Sequence, residues 1–179
     1  MKLLLAALLV GVAFAGEPSP SIDLHDLPGS SGEWQEGITV VDAPPERVQS
    51  WLTDYARWSE RFPDIEWQEV LPDDSDGRHV IRFRSKIADC VLTVHEKVEP
   101  GLLVFYGTAK NLFTQGRIYL LPAAGGTKTR VLMQSTSAVS GFWKIFASQR
   151  YRRKSAYEVT TSHLNALARM ARQLQSTAR

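Results

Sequence analysis

Residues 38–64 read ITVVDAPPERVQSWLTDYARWSERFPD, and this stretch decides how the rest of the chain must be arranged. Ile38 to Val41 is a β-branched run and reads as a strand. Pro44 and Pro45 stand where a helix begins, because the first turn has no use for the amide that proline lacks. Glu46 then sets an acid in that first turn. Val48, Trp51, Leu52, Tyr55 and Trp58 recur at spacings of 3, 1, 3 and 3, one face of a helix. Pro63 ends the segment, which is a short helical pair or a helix bent near Tyr55.

Downstream, from Ile65 to Ser140, the pattern changes to strands. Asp73 to Gly77 is a polar turn. From Val80 to Ile87, Ile81, Phe83, Ser85 and Ile87 alternate with Arg82, Arg84 and Lys86, as in an antiparallel strand with one wet face. Cys90, Leu92 and Val94 alternate with Val91, Thr93 and His95 on the next. Leu102 to Thr108, Thr114 to Leu121 and Lys128 to Ser137 complete a meander, with Pro122 to Gly126 as the last hairpin turn. From about Ser148 the chain reads as one long helix. Tyr157, Thr160, Leu164, Leu167, Ala171 and Leu174 form its apolar stripe, at spacings of 3 and 4. A lone helix of ~27 residues, about 40 Å long, must bury that stripe on the sheet. The expected class is α+β: a curved antiparallel sheet around a long C-terminal helix, with a short helical pair after the first strand.

Upstream, Met1-Lys2 precedes an apolar run from Leu3 to Ala13, and Ala13-Phe14-Ala15 supplies small residues for a signal peptidase. The run is ~11 residues, where a membrane span needs ~20. Residues 1–15 are expected to be a signal peptide cut after Ala15, the alternative being an uncleaved anchor. Residues 16–33, rich in Pro, Ser and Gly, read as a flexible tether, and residues 34–179 as one domain. Export to a bacterial periplasm follows. Cys90 is the only cysteine, which excludes an intramolecular disulfide and suits a small buried apolar side chain. At 44% apolar and 22% charged residues, the chain is neither disordered nor fibrous.

The residues from Ile38 to Asp64 resemble the opening of the START-like proteins of the SRPBCC superfamily, in which a strand meets A-P-x-x-x-V and then D-Y-x-x-W-x-x-x-x-P. Gly116-Arg-Ile-Tyr-Leu-Leu-Pro122, Gly125-Gly126-Thr127 and Gly141-Phe142-Trp143 support the likeness, which spans residues 35–175. It implies the helix-grip fold shared with polyketide cyclase/dehydrase and birch-pollen-allergen-like proteins. It also implies an apolar cavity between sheet and helix for a lipid, sterol or polyketide. Phe83, Leu92, Tyr106, Tyr119 and Met133 on the sheet are candidates to line it, with Leu164, Leu167, Ala168 and Ala171 on the helix. Small helix residues serve equally to let a sheet pack closely, and a one-residue register slip reverses every strand assignment.

Gly141, Phe142, Trp143, Ile145 and Phe146 join the last strand to the helix, with Arg150, Arg152, Arg153 and Lys154 close behind. Two readings are open: a short turn packed over the cavity end, or a gate that touches an anionic membrane while lipid passes. Basic side chains at a helix start oppose its dipole, so helix stability does not account for them. Residues 16–143 carry 12 basic and 18 acidic side chains, and residues 144–179 carry 8 basic and 1 acidic. A near-neutral total conceals an acidic body and a basic end.

No nucleic-acid signature, P-loop, Gly-x-Ser-x-Gly elbow or metal-ligand spacing occurs; His79, His95 and His163 are isolated. His95 and Glu96 face opposite ways on one strand and form no acid/base pair. No catalytic residue, cofactor or metal ligand is assigned. The expected function is hydrophobic-ligand binding and transfer, the alternative a polyketide-cyclase-like enzyme using the same cavity.

Overall fold

The structure is a computed structural model that describes residues 23–26, 34–110, 112–139, 158, 161–167 and 169. Eight antiparallel strands form one sheet: β1 (Asp23–Asp26), β2 (Trp34–Val41), β3 (Ile65–Leu71), β4 (His79–Ser85), β5 (Cys90–Glu99), β6 (Leu102–Ala109), β7 (Leu112–Ala123) and β8 (Lys128–Val139). Their order is β1-β2-β8-β7-β6-β5-β4-β3, so β3 to β8 form a meander and β2 adds to its last strand. Helices α1 (Pro45–Leu52) and α2 (Trp58–Arg61), with a 3-10 turn at Tyr55–Arg57 between them, carry the chain from β2 to the far edge at β3. Residues 158, 161–167 and 169 are helical; the rest of the expected C-terminal helix lies outside the described residues.

The proline-led α1 stops after eight residues, and side chains from its own continuation satisfy its end. The Trp58 indole donates to the Leu52 carbonyl at 2.8 Å, and Arg61 donates to the Trp51 carbonyl at 2.5 Å. Arg61 also pairs with Asp54 in the turn. These carbonyls would otherwise lack donors, as the last four of any helix do. The break frees Val48, Leu52 and Phe62 to point together into the core. Gln49 fastens α1 to the sheet, accepting from the Gly101 amide at 3.0 Å and donating to the Glu99 carbonyl at 3.1 Å. Thr129 of β8 donates to the Ala43 carbonyl at 2.6 Å and fixes the start of α1.

The inward face of the sheet follows strand parity. Val41, Ile81, Leu103, Leu120, Val131 and Met133 are buried there, together with Leu164 and Leu167 of the C-terminal helical segment. Gly107 and Gly116 lie in adjacent cross-strand rows of that face. A Cβ on Gly116 would stand 2.5 Å from both the Phe105 ring and the Gln134 carbonyl oxygen. The missing side chain therefore lets the Phe105 ring lie across β7, a close approach of the kind that marks glycines in strands.

Three expectations are corrected. Asp23–Asp26, inside the expected tether, is a strand paired with β2; a short polar edge strand joins through its backbone and needs no apolar alternation. The strand expected to reach Ile87 ends at Ser85, because Ala88 donates its amide to the Ser85 hydroxyl and the chain turns. Pro122 and Ala123 belong to β7, and the last hairpin turns at Ala124–Gly126. Cys90 is half-buried, and burial raises its thiol pKa.

Gly116→Ala should destabilise the protein by about 2 kcal/mol, the usual cost of forcing a methyl into a packed face. Since β8 backbone as well as a ring must move, thermal melting should show a Tm roughly 6 °C lower. An unchanged Tm would mean the two strands have room to spare at this point.

Candidate functional site

Between the sheet and the helical elements lies a cavity of about 120 Å³. Its wall is mostly apolar: Trp58 and Phe62 from α2 and its end, Phe83 from β4, Leu92 and Val94 from β5, and Leu103 and Phe105 from β6. Ile118 and Met133 close the side formed by β7 and β8. An apolar cavity of ~150 Å³ accommodates benzene, so this space holds a ring or a few methylenes.

Phe83, Leu92 and Met133 therefore face the cavity, and Leu164 and Leu167 are buried in the core cluster it adjoins. Tyr106 and Tyr119 do not. Both lie on the opposite face: Tyr106 stacks on His95 at 4.7 Å with Arg78 over its other side, and Tyr119 alternates with inward Ile118 and Leu120. The correction is one of register: Leu103 and Phe105 carry the inward parity of β6, leaving Tyr106 outside. Ala168, Ala171 and the gate candidates from Gly141 to Lys154 lie outside the described residues.

Two carboxyl groups interrupt the apolar wall, which also carries Ser85, Thr114, Ser135 and Ser137. Glu96 follows Leu92 and Val94 on the inward parity of β5 and is 4% exposed. The Tyr55 hydroxyl, delivered by the turn after α1, donates to Glu96 Oε2 at 2.6 Å. Burial pushes the Glu96 carboxyl up to about 7, against the lowering pulls of the Tyr55 hydrogen bond and of His79. Burial and the adjoining carboxyl raise the Tyr55 phenol in turn, so it stays a donor. His79 is the cross-strand neighbour of Glu96, and at the rim its ring pairs with Asp73 at 3.1 Å.

Asp64 forms the second group, in the turn that Pro63 creates before β3. Ser162 donates to its Oδ1 at 2.8 Å, and His163 Nε2 lies 3.4 Å from Oδ2, within ion-pairing reach but poorly directed for a hydrogen bond. Burial disfavours the Asp64 carboxylate, yet His163 and Ser162 outweigh it and hold its pKa below the ordinary value. The His163 ring also packs on Phe62 at 4.7 Å, so these contacts dock the helical segment onto the end of α2. Among the described residues no cluster of His, Cys, Asp or Glu suits a metal ion.

Sequence reasoning passed over Tyr55, Asp64, Glu96 and His163 as site residues. One signal was available for Glu96, a charged residue next after Leu92 and Val94 on an apolar parity. The Asp64–His163 contact joins residues too far apart in sequence for any spacing rule.

Glu96 also makes stability depend on pH. Its carboxyl keeps its proton to about pH 7 in the fold but ionises near 4.5 when unfolded, so the folded state holds the extra proton between those values. Stability is therefore full below the lower value and falls as pH rises through the window, by about 3 kcal/mol in all. Asp64, whose pKa is lowered, acts below this window. In Glu96→Gln the fall should vanish when denaturant midpoints are compared at pH 5 and pH 8. An identical slope in both proteins would assign it to other groups.

No family model matches the sequence, and no curated protein matches it. Solved structures do match. A START superfamily protein from Mycobacterium smegmatis aligns with TM-score 0.69 at 19% identity, over 80% of this chain and 99% of that one. The Zhui aromatase/cyclase from a Streptomyces species aligns with TM-score 0.65 at 17% identity, over 84% and 95%. A STAR-related lipid transfer protein from Xanthomonas axonopodis aligns with TM-score 0.58 at 16% identity, over 86% and 99%. With the curved antiparallel sheet and the helical pair after β2, these likenesses show that the chain has the START-like, helix-grip α+β fold.

Proposed function

We propose that this protein binds a hydrophobic small molecule, or the apolar end of a lipid, between its concave sheet and its helices, and carries it in an exported compartment. The observation that carries this reading is the cavity itself. Close-packed interiors contain few voids larger than a water molecule, yet here about 120 Å³ is kept open behind an apolar wall. Leaving it empty forfeits dispersion contacts, and a guest restores them while removing its own apolar area from water, at ~25 cal/mol per Å². Likeness to a lipid transfer protein supports the same reading. Pockets that enclose a whole drug-sized ligand run to ~300–1,000 Å³. A guest larger than a ring must therefore extend beyond this space or part the helical segment from the sheet. Export rests on the N-terminal pattern of residues 1–15.

Native mass spectrometry of the protein purified from its own cell envelope should show a non-covalent adduct of lipid or small-molecule mass. Repeated spectra of the bare chain would overturn the carrier reading. For delivery, the basic residues after the last strand are the proposed contact with anionic headgroups. Replacing Arg152 and Arg153 together by Glu should weaken binding to phosphatidylglycerol vesicles, read by co-sedimentation, at least about thirtyfold, near 1 kcal/mol for each cation lost. Equal co-sedimentation would remove the membrane step.

One observation favours a second reading, an enzyme acting on a hydrophobic substrate. The Tyr55–Glu96 pair sets a carboxyl that titrates near neutrality against the cavity, as a general acid or base requires. Likeness to an aromatase/cyclase is consistent with it. Incubating the released guest with the protein separates the readings, since turnover changes its chromatographic retention, with or without loss of water, and carriage does not.

A further inference from the structure

The charges facing the cavity are unbalanced. Among the described residues the ionisable groups on its wall are Asp64, Glu96 and His163, with no Lys or Arg. The two carboxyls are not equivalent. Ser162 donates to one oxygen of Asp64, and His163 lies within ion-pairing reach of the other. Glu96 has one oxygen engaged, by Tyr55, and among the described residues no other group hydrogen-bonds to it. Apolar side chains flank Glu96 along its own strand, Leu92 and Val94, and across on β6, Phe105; across on β4 its neighbour is His79. The groups that bear on its charge are Tyr55 from the turn after α1, His79 from β4 with Asp73 behind it, and Asp64 and His163 elsewhere on the cavity wall.

Glu96 Oε1 is not among the fully buried polar atoms left without a partner, so it keeps surface toward the cavity, and closing a guest over it without a donor costs about 1–3 kcal/mol or more. A guest that brings a donor removes that cost. A guest that brings a second carboxylate adds to it, because two like charges in one apolar site cannot both stay ionised. We propose that the cavity selects guests whose buried end carries a hydrogen-bond-donating head, an amine or an alcohol, and rejects carboxylates, with Glu96 Oε1 as the acceptor. Tyr55 is the positioning residue, since its hydroxyl holds Oε2 and leaves Oε1 for the guest. This inference rests on the cavity-binding reading and narrows it: above about pH 7, where Glu96 is ionised, fatty acids and other carboxylate amphiphiles are rejected, and hydroxyl- or amine-bearing apolar molecules are its class.

Four ring-sized probes that match the cavity volume test it: benzylamine, benzyl alcohol, benzoate and toluene, titrated into the protein at pH 8 and followed by two-dimensional NMR. Benzylamine and benzyl alcohol should each bind at least about tenfold more tightly than benzoate, one unit of pKa penalty being tenfold. The order of the first two then tells an ion pair from a neutral hydrogen bond. Glu96→Gln should remove the advantage of the amine and relieve the penalty on benzoate, while toluene binds as before. Glu96→Leu, which needs no partner at all, should erase every head-group preference and retain toluene. Benzoate binding as tightly as the amine and the alcohol, or a ranking unchanged in both variants, would overturn the proposal while leaving cavity binding intact. Failure of all four probes, toluene included, would overturn the cavity-binding reading and this inference with it.

Discussion

An α-helix that stops after two turns leaves its last carbonyls without amide donors, and in this protein Trp58 and Arg61 supply them. That arrangement turns the chain at Thr53 and Asp54, and most of the site follows from the turn. It lowers Tyr55 into the interior, where its hydroxyl meets Glu96. It directs Phe62 inward and, with Pro63, delivers Asp64 to the cavity edge. Gln68 of β3 secures the return, accepting from the Ser59 amide at 2.9 Å and donating to the Ala56 carbonyl at 2.5 Å. A continuous helix over residues 45–61 would carry Tyr55 and Phe62 on its own cylinder, and Glu96 would lose the Tyr55 hydrogen bond.

The cavity is the counterpart of that economy. Among the described residues, α1, α2 and residues 161–167 pack on the inward face of the sheet and leave the cavity beside them. Bulky rings span the gap: Trp58 meets Tyr55, Phe62 and Phe83 edge to face at 5.3, 5.8 and 5.7 Å. Such contacts brace the rings without filling the space between them. Gly116 contributes from the sheet side by letting the Phe105 ring lie flat across its neighbour. The volume is thus held open by stiff side chains on a curved wall, which is how a small domain keeps a void without losing its core.

Much of the fold was legible before any coordinates. The proline-led start of α1, the break near Tyr55, the alternation on β4 and β5 and the meander order all follow from local pattern, because each reflects the chain's own periodicity. β1 was not legible, since Asp23–Asp26 owes its strand state to β2 beside it. Of the candidate lining residues, Phe83, Leu92 and Met133 were placed on the correct face, whereas Tyr106 and Tyr119 were not. Both are large and amphipathic and suit either face; what decides is which residues pair across strands, and pairing is non-local. The polar residues fared worst. A Glu on a mostly apolar strand and an Asp after a proline look like ordinary surface residues until Tyr55 and His163 arrive from elsewhere in the chain.

By itself the sequence determined the class and order of the elements, the acidic body with its basic end, and the absence of familiar catalytic spacings, because these are properties of neighbours along the chain. Tertiary structure decided which face of each strand is inside, that about 120 Å³ remains unfilled, and that Glu96 stands there with Tyr55 as its hydrogen-bond donor among the described residues. The physical reason is the same for all three. Burial, void volume and a shifted proton affinity belong to the space between segments, and no segment carries them alone.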